Sequence, residues 1–150
     1  MRAITVRQPW AWAIVHGGKD VENRTRNIAG TYRGLVLIHA GLTPDTAAQG
    51  HWPPRDLVPM KAWQPRGVVI GVVDLVEVHF ARSGDYEDPC GGYDDIEGEC
   101  LCSPWAGDLM HHLVLANPRP LAEPIPYRGR LGLWIPGARL QEAVAEQVAL

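Results

Sequence analysis

No segment between the candidate strands of this chain is long and amphipathic enough to be a crossover helix, and a sheet of parallel strands needs such helices. Sixteen glycines and thirteen prolines instead cut the 150 residues into short extended runs with brief helical turns. Residues 2–7, Arg-Ala-Ile-Thr-Val-Arg, read as a strand. Pro9 then suits a helix's first turn, and residues 10–16 read as a short helix that Gly17 and Gly18 stop. Residues 19–25 follow as a strand with mixed faces, residues 28–33 as a turn region, and residues 34–40, Gly-Leu-Val-Leu-Ile-His-Ala, as a buried strand. Thr43, Pro44 and Asp45 can cap a brief helix running to Gln49, and residues 51–65 read as an ordered loop over the core.

The second half repeats the pattern with longer strands. Residues 66–80 form one strand bent at Gly71, with Val73 and Leu75 on one face and Val72, Asp74 and Val76 on the other. Residues 112–116 read as a strand, residues 118–126 as an extended turn with four prolines, and residues 131–134 as a closing strand. A terminal helix is expected over residues 138–149, with Leu140, Val144 and Val148 at i, i+4, i+8. Five or six short strands with short helices predict an α+β domain built on a small mixed β pseudo-barrel with flanking helices, spanning residues 1–150 as one domain.

Charge is unevenly spread over this frame. The formal net charge is −3, yet residues 85–99 hold seven acids (Asp85, Glu87, Asp88, Asp94, Asp95, Glu97 and Glu99) and no base. Without them the chain has 14 bases against 10 acids, and twelve of the bases are arginine, the side chain best suited to bidentate contact with phosphate or a base edge. An acidic insert over residues 81–104, with Gly91 and Gly92 at its centre, reads as a flexible lobe or lid on a mildly basic body. The longest apolar runs fall well short of the ~20 residues a membrane helix needs, so no membrane partner is expected. Three cysteines cannot all pair within one chain, which points to a reducing, cytoplasmic compartment.

Three motifs near the amino terminus carry the chemistry: Arg7-Gln8-Pro9-Trp10-Ala11, Gly18-Lys19-Asp20-Val21-Glu22-Asn23-Arg24, and Arg33-Gly34 leading to His39-Ala40. In a regular strand Lys19 faces away from Glu22 and Arg24, so their convergence demands a bend or bulge near Gly17 and Gly18. If they converge, Glu22 pairs with Arg24, and a desolvated Lys19 beside another cation can serve as a base. If they do not, Glu22 and Arg24 form a salt bridge and Lys19 is solvated. His39 ends a buried strand and reads either as a satisfied core histidine or as a catalytic group. Trp10 and Trp12 face different ways on their helix; whichever meets the mouth can stack on a base. Arg7 and Gln8 can present a guanidinium and backbone N–H groups to a phosphate or carboxylate.

This triplet resembles the activating signal cointegrator homology (ASCH) domain, whose members show an RQPWA-like start, a G-K-x-x-E-x-R strand and an RG-x-x-x-x-H-A strand. The closing Leu121-Ala-Glu-Pro-Ile-Pro126 and Gly129-Arg-Leu-Gly-Leu-Trp134 resemble the C-terminal part of many such proteins. The resemblance implies a fold of the PUA type, a pseudo-barrel associated with RNA, and a ligand that is RNA or a nucleoside-containing small molecule. Arg7, Gln8, Trp10, Arg24 and Arg33 would bind it, and Lys19, Glu22 and His39 are the catalytic candidates. One branch of the family is similar to amidohydrolases of N4-acetylcytidine, which use a lysine, a threonine and a glutamate. Lys19 and Arg24 match that branch's motif, while Glu22 stands where the threonine is expected; Glu77, Glu97 and Glu99 are all candidates for its distal glutamate. Other members are implicated in RNA cleavage. An alternative of a different class is a protein-interaction domain that uses the acidic insert as its contact surface.

His79, Cys90, Cys100 and Cys102 form a second cluster, with His111 and His112 further on. Cys-x-Cys is tighter than the usual spacing for structural zinc, so free thiols and no cofactor are the expectation, with zinc the alternative.

Overall fold

The computed structural model describes residues 1–48, 58–81, 90 and 102–149, together with the backbone of 49 and 50. Six strands, β1 (Arg2–Val6), β2 (Val21–Arg24), β3 (Gly34–Ala40), β4 (Val68–Ala81), β5 (Met110–Pro126) and β6 (Leu133–Trp134), join in one sheet of order β2-β5-β4-β3-β1-β6. β1 and β3 run parallel, and every other neighbouring pair is antiparallel. The register slips three times between β4 and β5 and once between Ile38 and His39. Each slip adds local twist, and together they curl the sheet into a half-barrel whose ends, β2 and β6, stay unpaired with each other.

Both faces of this sheet are covered. Ile4, Val6, Val36, Ile38, Val73 and Leu75 pack with Ile14 and Val15 of helix α1 (Trp10–His16). Their strand neighbours Ala3, Leu37, Val69 and Val72 turn the other way onto Leu140 and Val144 of helix α2 (Ala138–Ala145). The period-2 alternation read along these strands is therefore two cores rather than a core and a wet face. Ile14 and Leu37 are fully buried, each contributing about 1.5–3 kcal/mol by leaving water. A third cluster, Ala13, Ala48, Val58 and Ala62, covers the back of α1 through 3-10 turns at Thr46–Gly50 and Met60–Trp63.

Three expectations change. The four prolines of residues 118–126 do not end the strand: β5 runs through them to Pro126. β2 pairs β5 only as far as Val114, so beyond it one side of β5 is an open edge where the proline nitrogens need not donate. The closing strand shrinks to Leu133 and Trp134, because Gly132 turns at φ +70° and Leu131 is fully solvated. Helix α2 ends at Ala145, and Val148 packs against its cluster from beyond the helix. Most of the acidic insert, including all seven of its acids, lies outside the described residues, as do residues 51–57 of the expected loop.

Candidate functional site

The chain between α1 and β2 solves the geometric problem posed by Lys19. Gly17 donates its N–H to the Ala13 carbonyl, Gly18 takes φ +75°, and Lys19 N–H returns to the same carbonyl at 3.0 Å. β2 begins only at Val21, so Lys19 never enters the strand and its side chain falls beside that of Glu22. Lys19 Nζ lies 3.9 Å from Glu22 Oε2, and the other carboxylate oxygen accepts from Arg24 Nη2 at 3.1 Å. Arg24 also donates to the Thr5 carbonyl, tying β2 across to β1.

The Lys19 ammonium is enclosed. It donates to the Val21 carbonyl and sits 5.7 Å from the Trp10 ring centroid and 5.6 Å from that of Trp105, two rings set edge to face. Burial pulls its pKa below the usual lysine value and the Arg24 charge adds to this, while Glu22 and Asp20 oppose it. Trp105 is held there by β2: Asn23 Nδ2 donates to its carbonyl, and Asn23 Oδ1 accepts the Gly107 N–H.

His39 is 2% exposed. Its Nε2 lies 2.9 Å from the Tyr127 carbonyl, which can only accept, so Nε2 carries the proton and Nδ1 the lone pair. Nδ1 has no hydrogen-bond partner among the described residues. Burial lowers the pKa of the ring below the ordinary histidine value, against hydrogen bonds that raise it.

These groups border a cleft of about 990 Å³ between the β1–α1 corner, β2, the end of β3 and the loop of residues 127–132. Arg7, Trp10, Glu22, Arg24 and His39 line it. Lys19 stands one layer back, behind Trp10 and Glu22, with its side chain 4% exposed. Gln8 is fully buried: Nε2 donates to the Pro65 carbonyl and Oε1 caps α1 by accepting the Trp12 N–H, so its side chain holds the helix start. Arg33 precedes the opposite end of β3, six residues and roughly 20 Å of strand from His39, and donates to the Gly30 and Tyr32 carbonyls. Of the two tryptophans, Trp10 meets the cleft, its Nε1 donating to Asp45, while Trp12 lies over His16 and Lys61.

Two lining arginines come from outside the three motifs. Arg128 and Arg130 flank Gly129 in the loop after β5, where the sequence offers a pair of bases around a glycine at the start of the Gly129–Trp134 segment, with nothing to place them at the cleft. Thr5 and Thr43 supply hydroxyls to the same wall.

A family model for the ASCH domain matches residues 4–97, well over half of the chain. The chain belongs to the ASCH family. Solved structures of an ASCH protein from Zymomonas mobilis share the fold of this ASCH domain. A tyrosine-to-phenylalanine variant matches with a TM-score of 0.57 at 17% identity, covering 98% of each chain. A serine-to-alanine variant matches at 0.53 and 17%, covering 98% of this chain and 96% of the other. The parent protein matches at 0.51 and 16%, covering 98% and 95%. Among curated proteins none matches the chain in sequence. The half-barrel with two short helices is of the PUA-like type, and no helix among the described residues is long and apolar enough to cross a membrane.

Of the second cluster, His79, Cys90 and Cys102 converge with His112, while Cys100 lies outside the described residues. Burial, followed by the neighbouring Cys90 sulfur, pushes the Cys102 thiol up to about 12. Of the three candidates for a distal glutamate, Glu77 contacts His79 rather than the cleft lining, and Glu97 and Glu99 fall outside the described residues.

Proposed function

We propose that this ASCH domain binds single-stranded RNA, or a nucleoside within it, in the cleft beside β2. The observation that carries the reading is the charge of the lining: four arginines, Arg7, Arg24, Arg128 and Arg130, against the single carboxylate of Glu22, on a chain whose net charge is −3. A basic hollow on an acidic protein attracts a polyanion locally. The volume is at the upper end of the about 300–1,000 Å³ typical of small-molecule sites, enough for a nucleotide rather than a duplex. Trp10 offers an aromatic edge, and Glu22, already oriented by Arg24, offers acceptor oxygens to the amino group of a base. Arg7 and the Arg128–Arg130 pair then serve the phosphates.

Binding of a short single-stranded RNA, followed by fluorescence anisotropy across a salt series, tests this. Single-strand affinity falls with salt by about 0.7 log units per decade for each phosphate neutralised. Replacing Arg128 and Arg130 together by alanine should weaken binding and flatten that slope by about 1.4, if each meets one phosphate. RNA affinity with an unchanged slope in that double variant would place the binding surface elsewhere.

A second reading rests on a specific observation, the buried Lys19 amine 3.9 Å from Glu22. An amine with a depressed pKa can take a proton in an acyl or phosphoryl transfer, with Glu22 activating a water in place of the threonine nucleophile of the amidohydrolase branch. Incubation with N4-acetylcytidine and with a mixed RNA, each followed by mass spectrometry, separates the readings. A deacetylated nucleoside or cleaved RNA that disappears with Lys19→Ala favours hydrolysis, and unchanged masses with intact affinity favour binding alone.

A further inference from the structure

The cleft leaves unused a group of four side chains on the sheet beyond β2. His79 of β4 and His112 of β5 stand directly opposite each other in the ladder, their ring centroids 5.3 Å apart. Cys90 comes from the connection between these strands, and Cys102 from the segment that leads into β5. One donor atom from each of the four lies within 4.8 Å of all the others. We propose that His79, Cys90, Cys102 and His112 form a closed tetrahedral site for a zinc ion, which fastens the connection between β4 and β5 to the sheet.

Ring orientation supports this first. His79 Nδ1 faces the Glu77 carboxylate at 3.2 Å and His112 Nε2 faces the Gly107 carbonyl at 2.7 Å. Both partners accept, so those nitrogens carry the protons, and the lone pairs sit on His79 Nε2 and His112 Nδ1. These are the two atoms turned to the sulfurs: Cys90 Sγ is 3.4 Å from the first and 3.3 Å from the second, and Cys102 Sγ is 3.4 Å from the second. A carboxylate or carbonyl behind each imidazole is the usual way a protein aims a histidine at a metal.

Distance and donor counting agree. With Zn–S about 2.3 Å and Zn–N about 2.0–2.1 Å, tetrahedral geometry sets sulfur and nitrogen about 3.5 Å apart, close to all three contacts. A cation takes all four lone pairs at once. Cys102 also donates its backbone N–H to Cys90 Sγ at 3.2 Å, which holds that sulfur against the segment leading into β5. Two thiolates balance the two positive charges, and two sulfurs with two imidazoles select zinc over magnesium or calcium. Four protein donors leave no position for water, so the ion is structural rather than catalytic.

Such an ion acts on the cleft indirectly. Cys102 and Gly107, the latter bonded to His112, bracket Trp105, the ring that encloses Lys19. Loss of the ion would release the segment that holds Trp105 in place.

The full-length chain, purified under reducing conditions without a histidine tag, should contain about one zinc per molecule by elemental analysis, and chelation should lower its melting temperature. Cobalt substituted into the apoprotein should give the intense visible bands of a tetrahedral ion with thiolate-to-metal charge transfer. Cys102→Ser and His79→Asn should each abolish stoichiometric metal, and Glu77→Gln, which leaves the four ligands intact, should weaken zinc affinity by about 10–100-fold. If a cysteine variant fails to fold, the wild-type cobalt spectrum decides by itself. The site is overturned by zinc well below one equivalent together with an octahedral or absent cobalt spectrum. Stoichiometric zinc that survives both ligand substitutions overturns it equally.

Discussion

Gly129 lies flat against His39, so closely that a Cβ on the glycine would stand 2.6 Å from the ring's Cε1 and 2.7 Å from Nδ1, and 2.7 Å from Thr5 Oγ1. The loop that brings Arg128 and Arg130 to the cleft is thus seated on the imidazole, and the Tyr127 carbonyl accepts from the opposite ring nitrogen. Gly129→Ala should force the loop outward at a cost of about 1–3 kcal/mol and weaken the RNA binding proposed for the cleft. A double-mutant cycle with His39→Ala, read by chemical denaturation, should show the alanine at 129 costing less once the ring is gone, though not nothing, since the Thr5 hydroxyl keeps its place. Independent, additive costs would mean that the close approach has no energetic consequence.

The same ring makes stability depend on pH. Burial holds its pKa below the ordinary 6.5, so the unfolded chain binds a proton that the folded one resists. Stability is therefore complete above that pH and falls as pH drops from 6.5 toward the folded value, by at most about 1.4 kcal/mol per pH unit. His16, also lowered by burial, acts in the same direction. Denaturation curves for the wild type and His39→Gln between about pH 5 and 7.5 isolate the contribution, and the variant should lose less stability in acid. Parallel curves would exclude it.

Lys19 offers a direct spectroscopic test, because Lys61 is the only other lysine. With lysine side chains labelled by carbon-13, Trp105→Ala should move the Lys19 titration upward toward the ordinary 10.5 by admitting water to the ammonium. A Lys19 titration unmoved by removal of the ring would mean that Trp105 contributes nothing to its desolvation.

Which parts of this were legible in the sequence follows from what each residue depends on. β3 and α1 could be read because an unbroken apolar run and a proline-to-glycine frame act locally, as did the demand for a bend ahead of Glu22, which Gly18 meets. The proline-rich end of β5 misled because a proline breaks a strand only where a neighbour needs its N–H, and the shortness of β2 is a property of the sheet. Gln8 and Arg33 belong to motifs on the right elements, but one side chain turns inward to cap a helix and the other sits at the far end of its strand. Arg128 and Arg130 reach the cleft through a loop placed by long-range pairing, and His112 meets His79 only through the β4–β5 register, which no spacing rule along the chain encodes.

Gly71 links the bend in β4 to the shape of the cleft. A Cβ there would stand 2.8 and 2.9 Å from the two methyls of Val15 and 3.0 Å from the Arg119 carbonyl, so the strand passes between α1 and β5 only because the position has no side chain. The register slip between Val69 and Gly71 on the β5 side is matched by the slip between Ile38 and His39 on the β3 side, since Ile38 pairs with Gly71 and His39 with Val69. Gly71→Ala should therefore destabilise the fold by about 1–3 kcal/mol and also shift the end of β3 that carries His39, lowering the proposed affinity for RNA. Val15→Ala relieves the clash with the methyls but not that with the carbonyl, so the double variant should recover part of the loss and never all of it. A Gly71→Ala protein with wild-type stability and RNA affinity would show that α1 and β5 give way freely, and that the bend in β4 does not set the position of His39.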